Sequence, residues 1–189
     1  VCLVAVRTDR LDARRAVIQA SGLFLEGLVQ SVIAASQAVI GPESGLRAVV
    51  DVGSAGSSVA VLLDGRPVSV HIIPKGGQEA TRVIAAAVGL PPDEAERLKW
   101  DWRGTPEDEV RFLGPLRDRG LTSTMWRDAC RRAADELIEA IRAVLEPLST
   151  SDLRFLGVTF VGGGAQLSGL TGRAETLLQV PCLAGTEVP

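Results

Sequence analysis

The stretch "VVDVGSAGSSVAVLLDGRPVSVHI", residues 49–72, constrains this chain more than any other. Apolar runs rich in Val and Leu alternate with two turns. The second turn, Asp64-Gly65, is a two-residue hairpin signal, because Gly supplies positive φ at little cost. The spacing predicts three strands, over 46–52, 58–63 and 67–73. The first turn is unusual: Asp51 stands at the mouth of a loop made only of Gly, Ser and Ala. Such a loop has no side-chain bulk to pack, so its N–H groups can come close to a ligand and form an anion-binding concavity. The Ser57 and Ser58 hydroxyls add donors, and a carboxylate at Asp51 suits Mg²⁺ held through its water shell. A plain hairpin with Asp51 as a turn-former accounts for the same residues, and both readings stand at this point.

A second glycine loop lies far along the chain, in "FVGGGAQLSGL", residues 160–170. Three glycines follow a buried strand pattern and precede a helix, which lets a flat ligand approach the backbone. A dinucleotide-binding loop of the G-x-G-x-x-G type fits badly. Leu167 stands where the third Gly belongs, and too little chain follows for the rest of that unit. The G-K-[ST] of a P-loop is absent as well.

Between the two loops the periodicity is helical. "QEATRVIAAAVG" is closed by Gly89, and "LPPDEAERLKW" opens with Pro92 in its first turn and acidic residues that complement the helix dipole. The segment "DWRGTPEDEV" is expected to be irregular. The longest helix is expected over 123–148, where Trp126, Ala129, Cys130, Ala133, Ala134, Leu137, Ile141, Val144, Leu145 and Leu148 make an apolar stripe. "LRFLGVTFV" is a buried strand, "SGLTGRAETLLQ" a helix and "VPCLAG" a last short strand. Ahead of the glycine hairpin the order is strand over 1–6, helix from Thr8 or Asp9 to Gly22, strand over 23–30 and a small-residue helix over 31–40. "GPESG", residues 41–45, is a turn-rich boundary. The fold class is therefore α/β: a mixed sheet flanked by helices, with a small helical insertion. The domain scheme is 1–44 as the end of a preceding region and 45–189 as the principal domain. Its large lobe comprises 45–75 and 150–189, and its small helical lobe 76–149.

Composition excludes several classes. Net charge is −3 over 189 residues, and there is no basic stripe or aromatic platform, so nucleic-acid binding is disfavoured. Cys2, Cys130 and Cys182 share no CxxC spacing and His71 is the sole histidine, so a zinc site is not expected. The cysteines fit small apolar thiols in a reducing compartment. No apolar run is long enough to span a membrane.

The order of phosphate-type hairpin, helical insertion and strand-GGG-helix resembles the second half of the actin-like ATPase superfamily. Within it, "VVDVGSAGSSVAVLLDGR", "GGQEATRVIAAAVGLPPDEAERLK" and "FVGGGAQLSGLTGRAETLLQVPC" resemble the second domain of the FtsA (cell division) and PilM (type IV pilus assembly) type. Both share "GGxxxT" and "EAExxK". "GLPPDEAERLK" and Ser57-Ser58 lean towards the pilus type, where the division type usually shows Thr-Thr-Asp. "VAVRTDRLDARRAVIQASGLFLEGLVQSVIAA" is similar to the stretch upstream in both.

The resemblance implies a ribonuclease-H-like fold and binding of ATP with Mg²⁺. Asp51 would position the metal and serve catalysis. Gly53, Ser54, Ala55, Gly56 and Ser57 would line the β- and γ-phosphates. Gly162, Gly163, Gly164 and Gln166 would face the adenosine, and Glu96 and Lys99 the ribose or base. The family's first phosphate hairpin is not in this sequence, so the chain looks like a piece of a parent and is expected to be inactive alone, the parent being a slow ATPase. The parent is expected to be cytoplasmic and peripheral to the inner membrane through the peptide of a pilus or division protein, with self-association as a further mode. The end at "GTEVP", without the amphipathic helix usual in the division type, leans towards the pilus type. A nucleotide-free scaffold and a small-molecule kinase of the same fold remain as alternatives.

Overall fold

The computed structural model describes residues 5–40, 44–102, 105–150 and 153–185. Three antiparallel strands, β1 (Leu46–Val52), β2 (Ser57–Leu63) and β3 (Arg66–Ile73), form where the sequence predicts them. The β2–β3 turn has positive φ at both Asp64 (52°) and Gly65 (73°), and the Asp64 carboxylate accepts the Gly45 N–H at 2.7 Å, which closes the base of the hairpin. The helices α3 (Gly77–Val88), α4 (Pro92–Asp101), α5 (Pro106–Asp108) and α6 (Ser123–Leu145) follow. The chain then returns as β4 (Phe155–Val161), α7 (Leu170–Leu178) and β5 (Cys182–Ala184). The strand order is β3-β2-β1-β4-β5. β4 pairs parallel with β1 on one side and with β5 on the other, so β1 is central and the sheet is mixed.

Helices cover both faces. On one face α6 packs between α3 and α7 over the sheet. Trp126, Cys130, Ala133, Leu137 and Ile141 recur every three or four residues and are all buried, so they form one inward stripe. Trp126 is fully buried and meets Trp102 edge to face at 6.5 Å. On the other face a shorter helix, α2 (Ser31–Val39), sets Val32 against Val49, Ala60 and Leu62. Burying each large side chain of this kind contributes about 1.5–3 kcal/mol.

Several expectations need correction. Residues 23–30 do not form a strand; Leu23, Phe24, Leu28 and Val29 are exposed, and among the described residues no strand pairs with them. Of the strand expected over 1–6, residues 1–4 lie outside the described residues and 5 and 6 are not in a strand. α1 (Thr8–Ala20) forms as expected but buries none of its residues. The segment around Glu107 is not irregular. Thr105 and Asp108 make a reciprocal capping box around Pro106, and a wide π-helical turn, Glu109–Leu113, and a tighter 3-10 stretch, Gly114–Arg119, continue from it. α6 ends at Leu145 rather than 148; Pro147 lacks an N–H, and the chain tightens into a 3-10 turn over Glu146–Leu148.

Trp126→Ala removes the largest fully buried side chain from under α6. It is expected to lower unfolding free energy by about 3–5 kcal/mol in chemical denaturation, whereas Val110→Ala, on the surface, changes it by less than about 0.5 kcal/mol.

Candidate functional site

β1 and β4 run parallel with Asp51 opposite Val161, so the chain leaves both strands at the same edge of the sheet. There the two glycine loops meet. Gly162 has φ of 85°, and a Cβ on it would lie 2.5 Å from Asp51 Oδ1 and 2.7 Å from the Val52 carbonyl oxygen. A Cβ on Gly164 would lie 2.4 Å from Val52 Cγ1. The second loop therefore crosses directly over the end of β1, an approach that side chains would block.

The first loop is oriented by α3. The N–H groups of Gly77 and Gln78, orphan donors at the start of that helix, donate to the carbonyls of Gly53 and Ser54, each at 2.9 Å. In a trans peptide the carbonyl and the following N–H point in opposite directions. Turning these two carbonyls towards α3 therefore turns the N–H groups of Ser54 and Ala55 outward. Among the described residues neither N–H makes a hydrogen bond, nor does that of Gly56, whereas Gly53 N–H closes the turn on the Gly56 carbonyl at 3.0 Å. Gly76 is packed beneath the loop, where a Cβ would fall 2.4 Å from the Gly53 oxygen. The arrangement is a small cradle of outward-facing amides.

A cleft with a cavity volume of about 120 Å³, partly open to solvent, runs from this cradle between the glycine loops and α4. Gly53, Ser54, Glu96, Lys99, Gly163, Gly164 and Gln166 line it together, although they come from three distant stretches of sequence. Asp51, Ala55, Gly56, Ser57 and Gly162 are not in its lining. Asp51 faces the opposite side of the sheet, where Ser31 at the start of α2 donates to its Oδ2 at 3.3 Å. Ser57 is buried, and its hydroxyl donates to the Lys75 carbonyl at 2.7 Å. That hydroxyl holds the hairpin to the segment before α3 and is not free as a ligand donor, in contrast to the expectation from sequence. Gly56 packs on Ile73, whose carbonyl oxygen would stand 2.9 Å from a Cβ there.

Glu96 and Lys99, one turn apart on α4, form an ion pair at 2.7 Å. The Lys99 ammonium also donates to the Gly77 carbonyl at 2.9 Å and to Thr81 Oγ1 at 2.7 Å, so all three of its N–H bonds are taken. The Thr81 hydroxyl lies against both Glu96 Oε2 and the Gly77 carbonyl, and Glu96 Oε1 accepts the Trp100 indole N–H at 2.7 Å. Burial alone raises the Glu96 pKa. The hydrogen bonds from Lys99, Thr81 and Trp100 and the Lys99 charge outweigh it and hold the carboxyl below its ordinary 4.5. The cluster ties α4 to the first turn of α3. Lys99 has no donor left for a ligand, while Glu96 Oε1 can accept one more bond, such as one from a sugar hydroxyl.

Sequence reasoning missed three participants, Thr81, Trp100 and Ser31. Thr81 is the Thr of "GGxxxT", and Trp100 follows the Lys of "EAExxK"; both were visible in those motifs without a role. Ser31 precedes Asp51 by about twenty residues and carried no signal. The Gln30 carboxamide oxygen is buried with no hydrogen-bond partner among the described residues.

Among the described residues no three His, Cys, Asp or Glu side chains gather into a metal site. Asp51 alone fits a hard cation that brings its other ligands from water and phosphate, not one caged by protein. Cys130 and Cys182 are buried thiols pushed up to about 12 by burial, and so are unreactive. His71 is a strand residue, 3.1 Å from Ser69 Oγ. No helix among the described residues is long and apolar enough to cross a membrane.

The model of the family "Cell division protein FtsA" matches residues 48–188. The chain belongs to the FtsA family. Cell division protein FtsA of Bacillus subtilis is 27% identical over 160 residues, covering 80% of this chain and 36% of the relative. That of Pseudomonas aeruginosa is 24% identical over 178 residues, covering 89% and 43%. The chain thus spans less than half the length of these curated relatives. Among solved structures, MreB5 of Spiroplasma citri bound to ADP superposes with a TM-score of 0.73 at 18% identity, covering 99% of this chain and 63% of that one. A PilM–PilN type IV pilus biogenesis complex gives 0.68 at 21%, covering 95% and 48%. Both matches are of fold: the mixed sheet with its flanking helices has the fold of actin-like ATPase domains.

Since the folded Glu96 pKa is lowered, the unfolded state takes up the proton first as pH falls. The stabilisation from this carboxylate is complete above the ordinary value of 4.5 and is lost as pH falls through the lowered one. Melting temperature measured against pH is expected to drop more steeply on the acid limb for wild type than for Glu96→Gln, and an identical slope would contradict the assignment.

Proposed function

We propose that this chain is one jaw of an actin-like nucleotide-binding protein of the FtsA family, gripping Mg-ATP together with a second half of the parent protein. The observation that carries the reading is the convergence of the glycine loops after β1 and β4 on one cleft. The outward N–H groups of Ser54 and Ala55 suit the β- and γ-phosphates, because oriented amides stabilise anionic oxygens at no reorganisation cost. Gly163, Gly164 and Gln166 suit the nucleoside, and Glu96 Oε1 a ribose hydroxyl. Asp51, on the far side of β1, would hold the metal through water. Mg²⁺ supplies charge neutralisation between phosphate oxygens when bound. This chain's part is to orient the phosphates and keep the nucleoside against the second loop.

Phosphoryl transfer needs donors on both sides of the phosphate. Hydrolysis is therefore assigned to the complete parent, and the jaw alone is expected to bind weakly and turn over negligibly. The family match favours a division role, docking on the tail of a tubulin-like division protein. The leaning of "GLPPDEAERLK" and Ser57-Ser58 keeps the pilus role as the second reading, with the short cytoplasmic peptide of an inner-membrane pilus protein as partner. Self-association belongs to either.

The test is calorimetric titration of the full-length protein. Wild type is expected to bind Mg-ATP. Asp51→Ala is expected to lose about tenfold or more of that affinity while Mg-free ATP changes little. A folded wild type with no affinity for Mg-ATP would leave a nucleotide-free scaffold. Pull-down against the two peptide classes then separates division from pilus.

A further inference from the structure

Trp100 is placed unlike the other two tryptophans. Trp102 and Trp126 are 2% and 0% exposed, whereas Trp100 on the cleft wall keeps 47% of its surface in solvent. Half an indole left in water is not explained by the core. Yet the ring is held. Its N–H donates to Glu96 Oε1, and its Cη2 lies 3.3 Å from where a Cβ of Gly163 would be. The indole is pinned at one corner and set against bare backbone. The polar groups beside it are already engaged: the three Lys99 donors are taken, and Glu96 Oε2 is shared by Lys99 and Thr81. The remaining polar side chains of the cleft lining are Ser54, on the first glycine loop, and Gln166. A carboxamide offers a donor and an acceptor and can turn either way.

We infer that Trp100 is the base platform of the cleft, a stacking surface that selects purine nucleotides by ring area and does not separate adenine from guanine. The inference rests on the nucleotide reading above. Stacking on an aromatic ring tolerates any base, because each has a π face, and it strengthens with overlap area. Strong discrimination between two purines needs buried groups left unpaired by the wrong edge. Here the Lys99 donors and Glu96 Oε2 are engaged within the protein, the spare acceptor of Glu96 Oε1 is assigned to the ribose, and the adaptable Gln166 carboxamide fits either edge.

The experiment is titration of the full-length protein, wild type, Trp100→Leu and Trp100→Phe, with the magnesium complexes of ATP, GTP, UTP and inorganic tripolyphosphate. Wild type is expected to bind ATP and GTP within about threefold of each other and UTP about tenfold more weakly. Trp100→Leu is expected to lose about tenfold for ATP and GTP, to close the gap to UTP and to leave tripolyphosphate unchanged. Trp100→Phe, which keeps a ring without the N–H, is expected to retain most of the purine affinity. If Trp100→Leu binds ATP like wild type, the platform is overturned and the nucleotide reading stands. Equal loss of tripolyphosphate affinity would make Trp100 a packing residue and overturn it too. A wild-type preference of more than about thirtyfold for ATP over GTP would overturn the lack of edge reading. A folded wild type that binds none of the four overturns both readings.

Discussion

The parallel pairing of β1 with β4 is the constraint on which the rest of the structure depends. Their register sets Asp51 beside Val161, so two loops more than a hundred residues apart begin at the same edge of one sheet. Ligands of open α/β sheets bind beyond the carboxyl ends of parallel strands because the loops there diverge and leave a crevice. In this chain the antiparallel partner β2 turns back tightly through Gly53 to Gly56, and β4 runs on into Gly162 to Gly164. The crevice is therefore walled by two stretches of backbone with almost no side chain.

Around that edge, α3 and α4 convert bare backbone into an oriented site. The first N–H groups of α3 take the loop carbonyls and so aim the loop amides outward. The Thr81–Glu96–Lys99 cluster then fixes α4 against the first turn of α3, which sets the cleft width and places Trp100 at its wall. An ion pair partly open to water contributes little to stability alone. Its weight here is geometric, since every donor of Lys99 ends on a group from α3 or α4.

Much of this was legible in sequence because the signals were local. The three-strand meander followed from apolar runs broken by Gly-rich turns, and α3 from its 3.6-residue period and Gly89, which takes φ of 70° as its left-handed cap. α6 followed from a stripe that had to face inward. The failures share one cause. Residues 23–30 have strand-like composition, but a strand exists only where another strand offers hydrogen bonds, and among the described residues none pairs with them. Ser57 looked like a ligand donor because it sits in the loop motif. It is the first residue of β2, and its hydroxyl points down to Lys75.

By itself the sequence determined the elements, the two glycine loops and the residue types that suit phosphate, metal and nucleoside. Turn chemistry, periodicity and the lack of side-chain bulk are properties of neighbouring residues. Only the tertiary structure decided which of these residues share a cleft. It brought Glu96, Lys99, Trp100 and Gly163 together, turned Asp51 to the other face of β1 and used the Lys99 donors within the protein. Facing across a sheet and hydrogen-bond partnership depend on strand register and on the approach of distant helices, and no stretch of local sequence encodes either.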